Sequence, residues 1–390
     1  MLETALESGR ESREHFEQEN AGVAKFLTKV DWDFKVRVVT NEIEGVHPYP
    51  AKFISDLPAA ILDALPLRKG SIVLDPFCGS GTTVAEAQRR GLESVGVDLN
   101  PIACLMARVK TSPIPDGIEV SVAHLVGAVD SGFAPVPAIP NLSHWFKSPI
   151  QAALARLTAA VETIPEIHQD FVRLAISSII VRVSNQESDT RYAAVEKPLK
   201  PDDVKIAFQR SCDRLLSALR SRNYDLVSAT IINSDLLQVD TVALRGKIGA
   251  IITSPPYPNA YEYWLYHKYR MWWLGYDPLK VKEKEIGARA HFFKKNRHTS
   301  QTFVDQMTSA FRKFSEMLTL DGWVCFVVGR SIIHGETIDN AAIIRKVGED
   351  SGFELVYEGT RNVLSTRKSF NLAHANIKQE NIVVMRRSFL

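Results

Sequence analysis

Residues 71–98 carry the pattern that most narrows the choice of fold. The apolar run 71–74 is typical of a short buried strand, and it leads into a glycine-containing loop over 75–83. A helix over 85–90 and a second strand over 94–97 follow. This strand, loop, helix and strand order predicts an open, mostly parallel sheet in which the loop and the helix start offer N–H groups to a ligand.

The loop between the first strand and its helix reads Asp75-Pro76-Phe77-Cys78-Gly79-Ser80-Gly81-Thr82-Thr83. The second strand finishes at Asp98-Leu99-Asn100-Pro101. An acidic side chain at that strand end is placed to hold a ribose diol. The sequence therefore predicts that a nucleotide-like cofactor binds across these two strand ends.

A third strand, over 247–252, leads into Thr253-Ser254-Pro255-Pro256-Tyr257. The hydroxyls, backbone carbonyls and aromatic ring of this motif can together grip an exocyclic amine on a planar base. Ligand sites in open α/β sheets lie at such strand ends. The motif therefore predicts a methyltransferase that acts on an amino group of nucleic acid.

Each of these pieces has a second interpretation. Gly-Ser-Gly is often only a turn, Pro-Pro a loop breaker, and an Asp after a strand a helix cap. Their joint occurrence at strand ends favours a ligand site over three unrelated structural features.

The loop at 75–83 and the motif at 253–257 resemble the cofactor and catalytic motifs of S-adenosylmethionine-dependent DNA amino-methyltransferases. The run 77–81 matches the Phe-x-Gly-x-Gly core of that family. His47-Pro48-Tyr49-Pro50-Ala51-Lys52-Phe53 resembles the segment that closes over the methionine end of the cofactor. Asn233-Ser234-Asp235 resembles the adenine-contacting motif, although the same residues after a strand are often a turn.

The resemblance implies two sets of site residues and S-adenosylmethionine as cofactor. The catalytic set is Ser254, Pro255, Pro256 and Tyr257. The cofactor-binding set is His47, Lys52, Phe53, Asp75, Pro76, Phe77, Cys78, Gly79, Ser80, Gly81, Thr82, Thr83, Asp98, Asn100, Asp235 and Thr253.

The target amine is a poor nucleophile because its lone pair is delocalised into the base. Donation to the Ser254 hydroxyl and the Pro255 carbonyl would free that lone pair, and Tyr257 would stack on the extruded base. Within the resembled family, Ser at the first position of the catalytic set, here Ser254, favours cytosine N4. Adenine-N6 enzymes mostly carry Asp or Asn at that position. Methylation at cytosine C5 needs a nucleophilic cysteine after a proline, and none of the four cysteines follows one.

Two other functions stay open at this point. An RNA methyltransferase acting on a guanine amine could use a similar motif pair, and it would prefer transfer RNA to duplex DNA. A cofactor-binding or DNA-binding partner of another enzyme would bind without turnover, which the intact Ser-Pro-Pro-Tyr argues against.

The predicted fold class is α/β, a doubly wound, mostly parallel, Rossmann-like sheet with a helical insertion. We expect a catalytic domain over 41–110 and 223–390, with an antiparallel hairpin closing its sheet. A helical extension over 1–40 would pack on DNA or on another subunit. The insertion over 111–222 has helical periodicity at 150–157 and 208–216. An Asp321-Gly322 turn is expected before a strand at 323–328.

Two polar segments are candidates for DNA contact. The stretch 182–192, with Arg191, suits either target recognition or an interhelical loop. A basic run over 282–298, with Lys294, Lys295 and Arg297, suits a phosphate-binding flap or a solvated loop. Trp272 and Trp273, among the aromatic residues that follow the motif, are expected in the core.

A net charge of +2 means that nucleic-acid affinity must come from a local patch. The cysteines lack metal or disulfide spacing, and no apolar run could span a bilayer. We therefore expect a cytoplasmic protein with no metal and no membrane contact, acting on double-stranded DNA. The sequence leaves open the oligomeric state and whether a restriction endonuclease is a partner.

Overall fold

The structure, a computed structural model, describes residues 2–35, 42–50, 53–189, 191–258, 262–293, 297–363 and 379–388. Seven strands of these ranges form one sheet: β1 (Ile72–Asp75), β2 (Glu93–Asp98), β5 (Ala229–Asn233), β6 (Ile248–Thr253), β7 (Leu318–Gly329), β10 (Phe353–Asn362) and β11 (Gln379–Arg387). Two small ribbons pair β3 (Gln186–Ser188) with β4 (Arg191–Ala194), and β8 (Ser331–Ile333) with β9 (Glu336–Ile338).

The order of strands in the large sheet is β10-β11-β7-β6-β1-β2-β5. Strand β11 runs antiparallel to both of its neighbours, and the other pairings are parallel. The α/β fold class, the mostly parallel sheet and the closing antiparallel hairpin are thus confirmed. Because β1 lies between β2 and the much later β6, its end is the point where the strand order reverses, and ligands of such sheets bind there.

Helices connect and cover these strands. They are α1 (Leu2–Leu27), α2 (Asp56–Ala64), α3 (Thr82–Arg89), α4 (Pro101–Thr111), α5 (Ile118–Ala128), α6 (Leu142–Trp145), α7 (Ser148–Ala160), α8 (Glu166–Ile179), α9 (Pro201–Arg220), α10 (Tyr263–Trp273), α11 (Pro278–Lys284), α12 (Arg289–Phe293), α13 (Ser300–Met317) and α14 (Asn340–Asp350). Within the described ranges, none of them is both long and apolar enough to cross a membrane.

The central strands β1 and β6 are buried on both faces, which explains their continuous apolar runs. Leu74 and Phe326 point to one face, where they join a core formed with α13 and α14. Their chain neighbours Val73 and Cys325 point to the other face, towards α1 and α2. The alternation follows from the two-residue period of side chains along a strand.

The amino-terminal helix packs on the sheet of its own chain, whereas the sequence suggested DNA or another subunit as its partner. Val23 and Leu27 of α1 belong to the core beneath the sheet. The buried Arg386 guanidinium of β11 donates to Glu19 Oε2 at 2.6 Å and to Asn20 Oδ1 at 2.9 Å. Apolar burial and this ion pair together hold α1 in place.

Helices α5 to α9 occupy the range predicted for the insertion, and the predicted helical periodicities lie in α7 and α9. Their core is continuous with residues of α4 and α10, including Met106 and Trp273. Trp273 is 3% exposed and Trp272 is partly buried against the same core, as expected. The helices of this range are therefore packed onto the helices that follow β2 and the catalytic motif.

The turn predicted at Asp321-Gly322 is wrong, because both residues lie inside β7. Ile248 of β6 pairs with Leu318, while Ala250 pairs with Trp323, so β7 carries extra residues at this point. The irregularity absorbs Asp321 and Gly322 without ending the strand.

Candidate active site

A hydrogen bond joins the two motifs at the centre of the sheet. The Thr253 hydroxyl, at the end of β6, donates to Asp75 Oδ1, at the end of β1, over 2.6 Å. Thr253 is fully buried and Asp75 is 2% exposed. Because β1 and β6 are parallel neighbours, the catalytic motif and the glycine loop start from adjacent strand ends.

The glycine loop is shaped by two left-handed residues. Gly79 has φ of 49° and Gly81, which precedes α3, has φ of 80°. A Cβ on Gly81 would lie 2.7 Å from the Ala107 Cβ, so α3 and α4 approach too closely there for any side chain. A Cβ on Gly79 would lie 3.1 Å from the Tyr49 hydroxyl. The two glycines therefore leave backbone where a side chain would not fit. The buried residues of the loop are Asp75, Pro76, Cys78, Ser80, Gly81, Thr82 and Thr83, and Phe77 and Gly79 are partly buried.

The Asp98 carboxylate ties the loop to the end of β2. It accepts hydrogen bonds from Gly79 N and from Asn100 N, both at 2.8 Å. Burial raises the pKa of Asp98 to about 6, although these two donors work against the shift. Burial likewise raises the pKa of Asp75 to about 6, against the hydrogen bond from Thr253.

A third acid, Glu285, lies in the same part of the molecule. Burial raises its pKa to about 8, and the nearby charges of Asp98 and Glu262 add to the shift. Asp75 and Asp98 thus place two buried carboxyl groups at the ends of β1 and β2, where a positively charged ligand would favour their ionised form. The side-chain amide nitrogen of Asn100 is buried and has no hydrogen-bond partner in the described part of the chain.

These features suit S-adenosylmethionine, the cofactor that the resemblance implies. Its sulfonium and amino groups are positive, so they match a site edged by the Asp75 and Asp98 carboxyl groups. Its ribose hydroxyls match an acidic side chain at the end of β2, and the unpartnered Asn100 donor can be satisfied by a ligand.

The catalytic motif continues directly from the end of β6, and the Ser254 hydroxyl can accept a hydrogen bond from a ligand. Ser254 is half-buried, and its hydroxyl makes no hydrogen bond to any residue that the structure describes. Pro255 is buried and Pro256 is half-buried. The Tyr257 ring is 9% exposed and packs in the core with Ile286. The roles assigned to these four residues stay predictions.

Several predicted cofactor residues have structural contacts of their own. The buried His47 ring lies 2.9 Å from the Ser177 hydroxyl of α8, through Nε2. Phe53 packs on the sheet face covered by α1 and α2. The Asp235 carboxylate caps a short helix by accepting from Leu237 N at 3.0 Å. Lys52 lies outside the described residues, and the cofactor roles of all four stay predictions.

The predicted DNA-binding residues fall into two places. Arg191 lies on β4, with its side chain 74% exposed and paired to Glu187 Oε1 at 2.8 Å. Arg297 is exposed in the segment between α12 and α13. Lys294 and Lys295 lie outside the described residues.

Sequence reasoning missed Glu285 and Gly287. Glu285 accepts from Tyr263 N at 2.7 Å, and a Cβ on Gly287 would lie 2.7 Å from the Tyr257 carbonyl oxygen. Both contacts join residues more than twenty positions apart in the chain. No local pattern signals them, because Glu285 lies in a run of charged residues typical of a solvated loop.

Residues 10–108 match the family of N6- and N4-type enzymes described as DNA methylase. The type II methyltransferase M.MjaII of Methanocaldococcus jannaschii is 37% identical over 100 residues, which are 24% of this chain and 19% of the relative. M.MvaI of Kocuria varians is 28% identical over 157 residues, or 37% of this chain and 35% of the relative. M.BsoBI of Geobacillus stearothermophilus is 24% identical over 286 residues, or 62% and 55%.

The chain thus spans between 19% and 55% of the length of these curated relatives. The matched family region includes the glycine loop and the end of β2, where the cofactor features lie. Over the part of the chain that these matches cover, the predicted resemblance to S-adenosylmethionine-dependent DNA amino-methyltransferases is confirmed.

Proposed function

We propose that this protein transfers a methyl group from S-adenosylmethionine to the exocyclic amine of a base extruded from duplex DNA. The observation that carries the proposal is the 2.6 Å hydrogen bond between Thr253 and Asp75. It joins the segment 253–257 to the loop 75–83 at the reversal point of the sheet, which supports a shared site for the amine and the cofactor. S-adenosylmethionine would supply the activated methyl group, and the residues of the chain hold the amine in line with it.

The motif residues act on the amine. The Ser254 hydroxyl makes no hydrogen bond to a described residue, so it can accept one N–H of the amine. The Pro255 carbonyl accepts the other N–H. These bonds draw the nitrogen towards tetrahedral geometry and expose its lone pair. Because a base inside a duplex cannot reach these groups, the target nucleotide must leave the stack.

Within this function we favour cytosine N4 as the target. The support is Ser254, because cytosine-N4 enzymes of the resembled family mostly carry serine at this position and adenine-N6 enzymes mostly carry Asp or Asn. Adenine N6 uses the same two acceptors and the same fold, so it is the alternative that a product analysis distinguishes.

Incubation with labelled S-adenosylmethionine and unmethylated duplex DNA is expected to yield N4-methylcytosine, identified by mass spectrometry of the digested nucleosides. In Ser254→Ala, the rate of methyl transfer is expected to fall about tenfold, because one hydrogen bond to the amine is lost. Ser309→Ala, on the exposed side of α13, is the matched control and should keep the rate.

The product decides among the alternatives. N6-methyladenine would overturn the cytosine assignment and keep the mechanism. Label in transfer RNA, with none in DNA, would replace the DNA function, and cofactor binding without any product would replace catalysis altogether.

The ribbon of β3 and β4 is our candidate for DNA contact. It is anchored to α10, the helix after the catalytic motif, by an ion pair between the partly exposed Asp189 and the buried Arg270. The Tyr192 hydroxyl also donates to the Tyr269 hydroxyl at 3.3 Å. The Lys268 amine lies 4.3 Å from the centre of the Tyr192 ring. Tyr192 is 45% exposed, and the other residues of β4 are exposed as well. A two-stranded ribbon of this kind fits the major groove.

Arg191→Ala is expected to weaken duplex DNA binding about threefold to tenfold and to reduce the salt dependence of the affinity by about one ion. Fluorescence anisotropy at several salt concentrations measures both quantities. Arg68→Ala is the matched control, since the Arg68 side chain is 83% exposed, ion-paired to Asp321, and located before β1, whereas the motifs follow the ends of β1 and β6. Equal losses in the two variants would rule out a specific role for the ribbon.

A further inference from the structure

The first turn of α10 is capped from a distant part of the chain. Its preceding residue, Glu262, makes no side-chain cap to the helix. Glu285 Oε1 instead accepts from Tyr263 N at 2.7 Å, and Glu285 Oε2 accepts from Trp264 N at 3.3 Å. A carboxyl group at this position accepts from two amides of the first turn, which have no acceptor inside the helix itself. Glu285 therefore fixes where α10 begins.

The residues just after Glu285 touch the catalytic motif itself. Gly287 has φ of 74°, and a Cβ there would lie 2.7 Å from the Tyr257 carbonyl oxygen and 3.3 Å from the Pro256 carbonyl oxygen. These neighbours are backbone atoms, which cannot rotate away as a side chain would. Ile286 packs in the same core as the Tyr257 ring. One short segment thus supports the end of the motif and the start of α10.

We propose that Glu285 and Gly287 form a clamp that positions the catalytic motif for methyl transfer. The clamp holds both ends of the connection between Tyr257 and α10, so it fixes the direction in which the motif backbone leaves β6. The positions of the Pro255 carbonyl and the Ser254 hydroxyl depend on the course of that backbone. Glu285 is a positioning residue, because it reaches the amine only through the motif, and this assignment rests on the proposed function above.

The first test compares Glu285→Gln and Glu285→Ala with Asp277→Asn. Asp277 caps α11 by accepting from Leu279 N at 2.9 Å, and it is an exposed cap in the same region. Single-turnover methyl transfer is expected to slow about tenfold in Glu285→Ala and less in Glu285→Gln, which retains one acceptor. The affinity for S-adenosylmethionine should change less than about twofold, and Asp277→Asn should match the unaltered protein.

The second test compares Gly287→Ala with Gly275→Ala. Gly275 has φ of 81° and open space where a Cβ would stand, so it controls for backbone strain alone. Both variants should lose thermal stability from backbone strain, and Gly287→Ala should lose more because its Cβ meets the Tyr257 carbonyl. At a temperature where both are folded, only Gly287→Ala should also slow methyl transfer, by about tenfold or more. Equal rates in the two glycine variants, or cofactor affinity falling in step with rate, would overturn the clamp.

Amide hydrogen exchange separates this proposal from the proposed function. In Glu285→Ala, exchange in the peptide containing Tyr263 and Trp264 should accelerate about tenfold, while Asp277→Asn leaves it unchanged. This readout requires no substrate. If the unaltered protein does not methylate DNA, the proposed function fails, and unchanged exchange in Glu285→Ala would separately remove the clamp.

Discussion

Gly81→Ala is expected to lower the free energy of unfolding by about 3 kcal/mol or more. A left-handed conformation costs a non-glycine residue roughly 1–2 kcal/mol, and overpacking adds roughly 1–3 kcal/mol. Both apply, since φ is 80° and the new Cβ would lie 2.7 Å from the Ala107 Cβ and 2.8 Å from its Cα. Urea unfolding followed by circular dichroism measures the loss.

Gly91→Ala is the matched control for this prediction. Gly91 follows α3 with φ of 69°, and nothing lies within 4 Å of the position of its missing Cβ. It should therefore lose only the conformational part, roughly 1–2 kcal/mol. If the two variants were equally stable, the close approach of α3 and α4 at Gly81 would not be the reason for a glycine there.

The same substitution is expected to impair the site. Relief of the contact with Ala107 requires α3 to move away from α4, and α3 begins at the glycine loop. Gly79 N, which donates to Asp98 at 2.8 Å, would move with it. Gly81→Ala should therefore also bind S-adenosylmethionine more weakly than Gly91→Ala when both are folded at the same urea concentration.

The centre of the sheet could be predicted from the sequence because its signals are local. Strands β1, β2 and β6 are short apolar runs buried on both faces, and each ends in a polar motif. Glycines between a buried strand and a helix are typical of a loop whose backbone approaches a ligand. Neighbouring residues therefore contained enough information to predict the parallel sheet and the edge at which its motifs lie.

The rest of the site depends on contacts between distant residues. The Tyr257 ring is buried in the core that includes Ile286 and α13, and Glu285 caps the start of α10 through Tyr263 N. The His47 ring meets Ser177 of α8, which is 130 positions away, and no pattern in the sequence predicts this contact. Asp321-Gly322 has the composition of a turn, and strand pairing on both sides of β7 overrides that preference.

The affinity for S-adenosylmethionine is expected to fall about tenfold as the pH is lowered from 7 to 5. The Asp98 carboxyl, with its pKa raised to about 6 by burial, is mostly ionised at pH 7 and about nine-tenths protonated at pH 5. The positive cofactor prefers the ionised form, so protonation opposes binding. Calorimetric titration in buffers of matched ionic strength measures the affinity at each pH.

Asp98→Asn should bind weakly at both pH values and lose most of this dependence. Asp339→Asn, an exposed cap that accepts from Ala342 N at 3.0 Å on α14, is the matched control and should retain it. If Asp98→Asn kept the full tenfold change, the dependence would have to be assigned to Asp75, whose pKa burial also raises to about 6.

The stability of the cofactor-free protein should respond to the same group with the opposite sign. The pKa of Asp98 is raised from 3.8 to about 6 on folding, so between these pH values the folded state binds more protons than the unfolded state. The free energy of unfolding contributed by this carboxyl therefore falls as the pH rises from about 4 to 6 and stays low above that. Urea unfolding should show a larger gain on acidification from pH 7 to pH 5 in the unaltered protein than in Asp98→Asn. If ionisation of Asp98 both weakens the empty fold and strengthens cofactor binding, the ionised carboxyl serves ligand binding at a cost in stability.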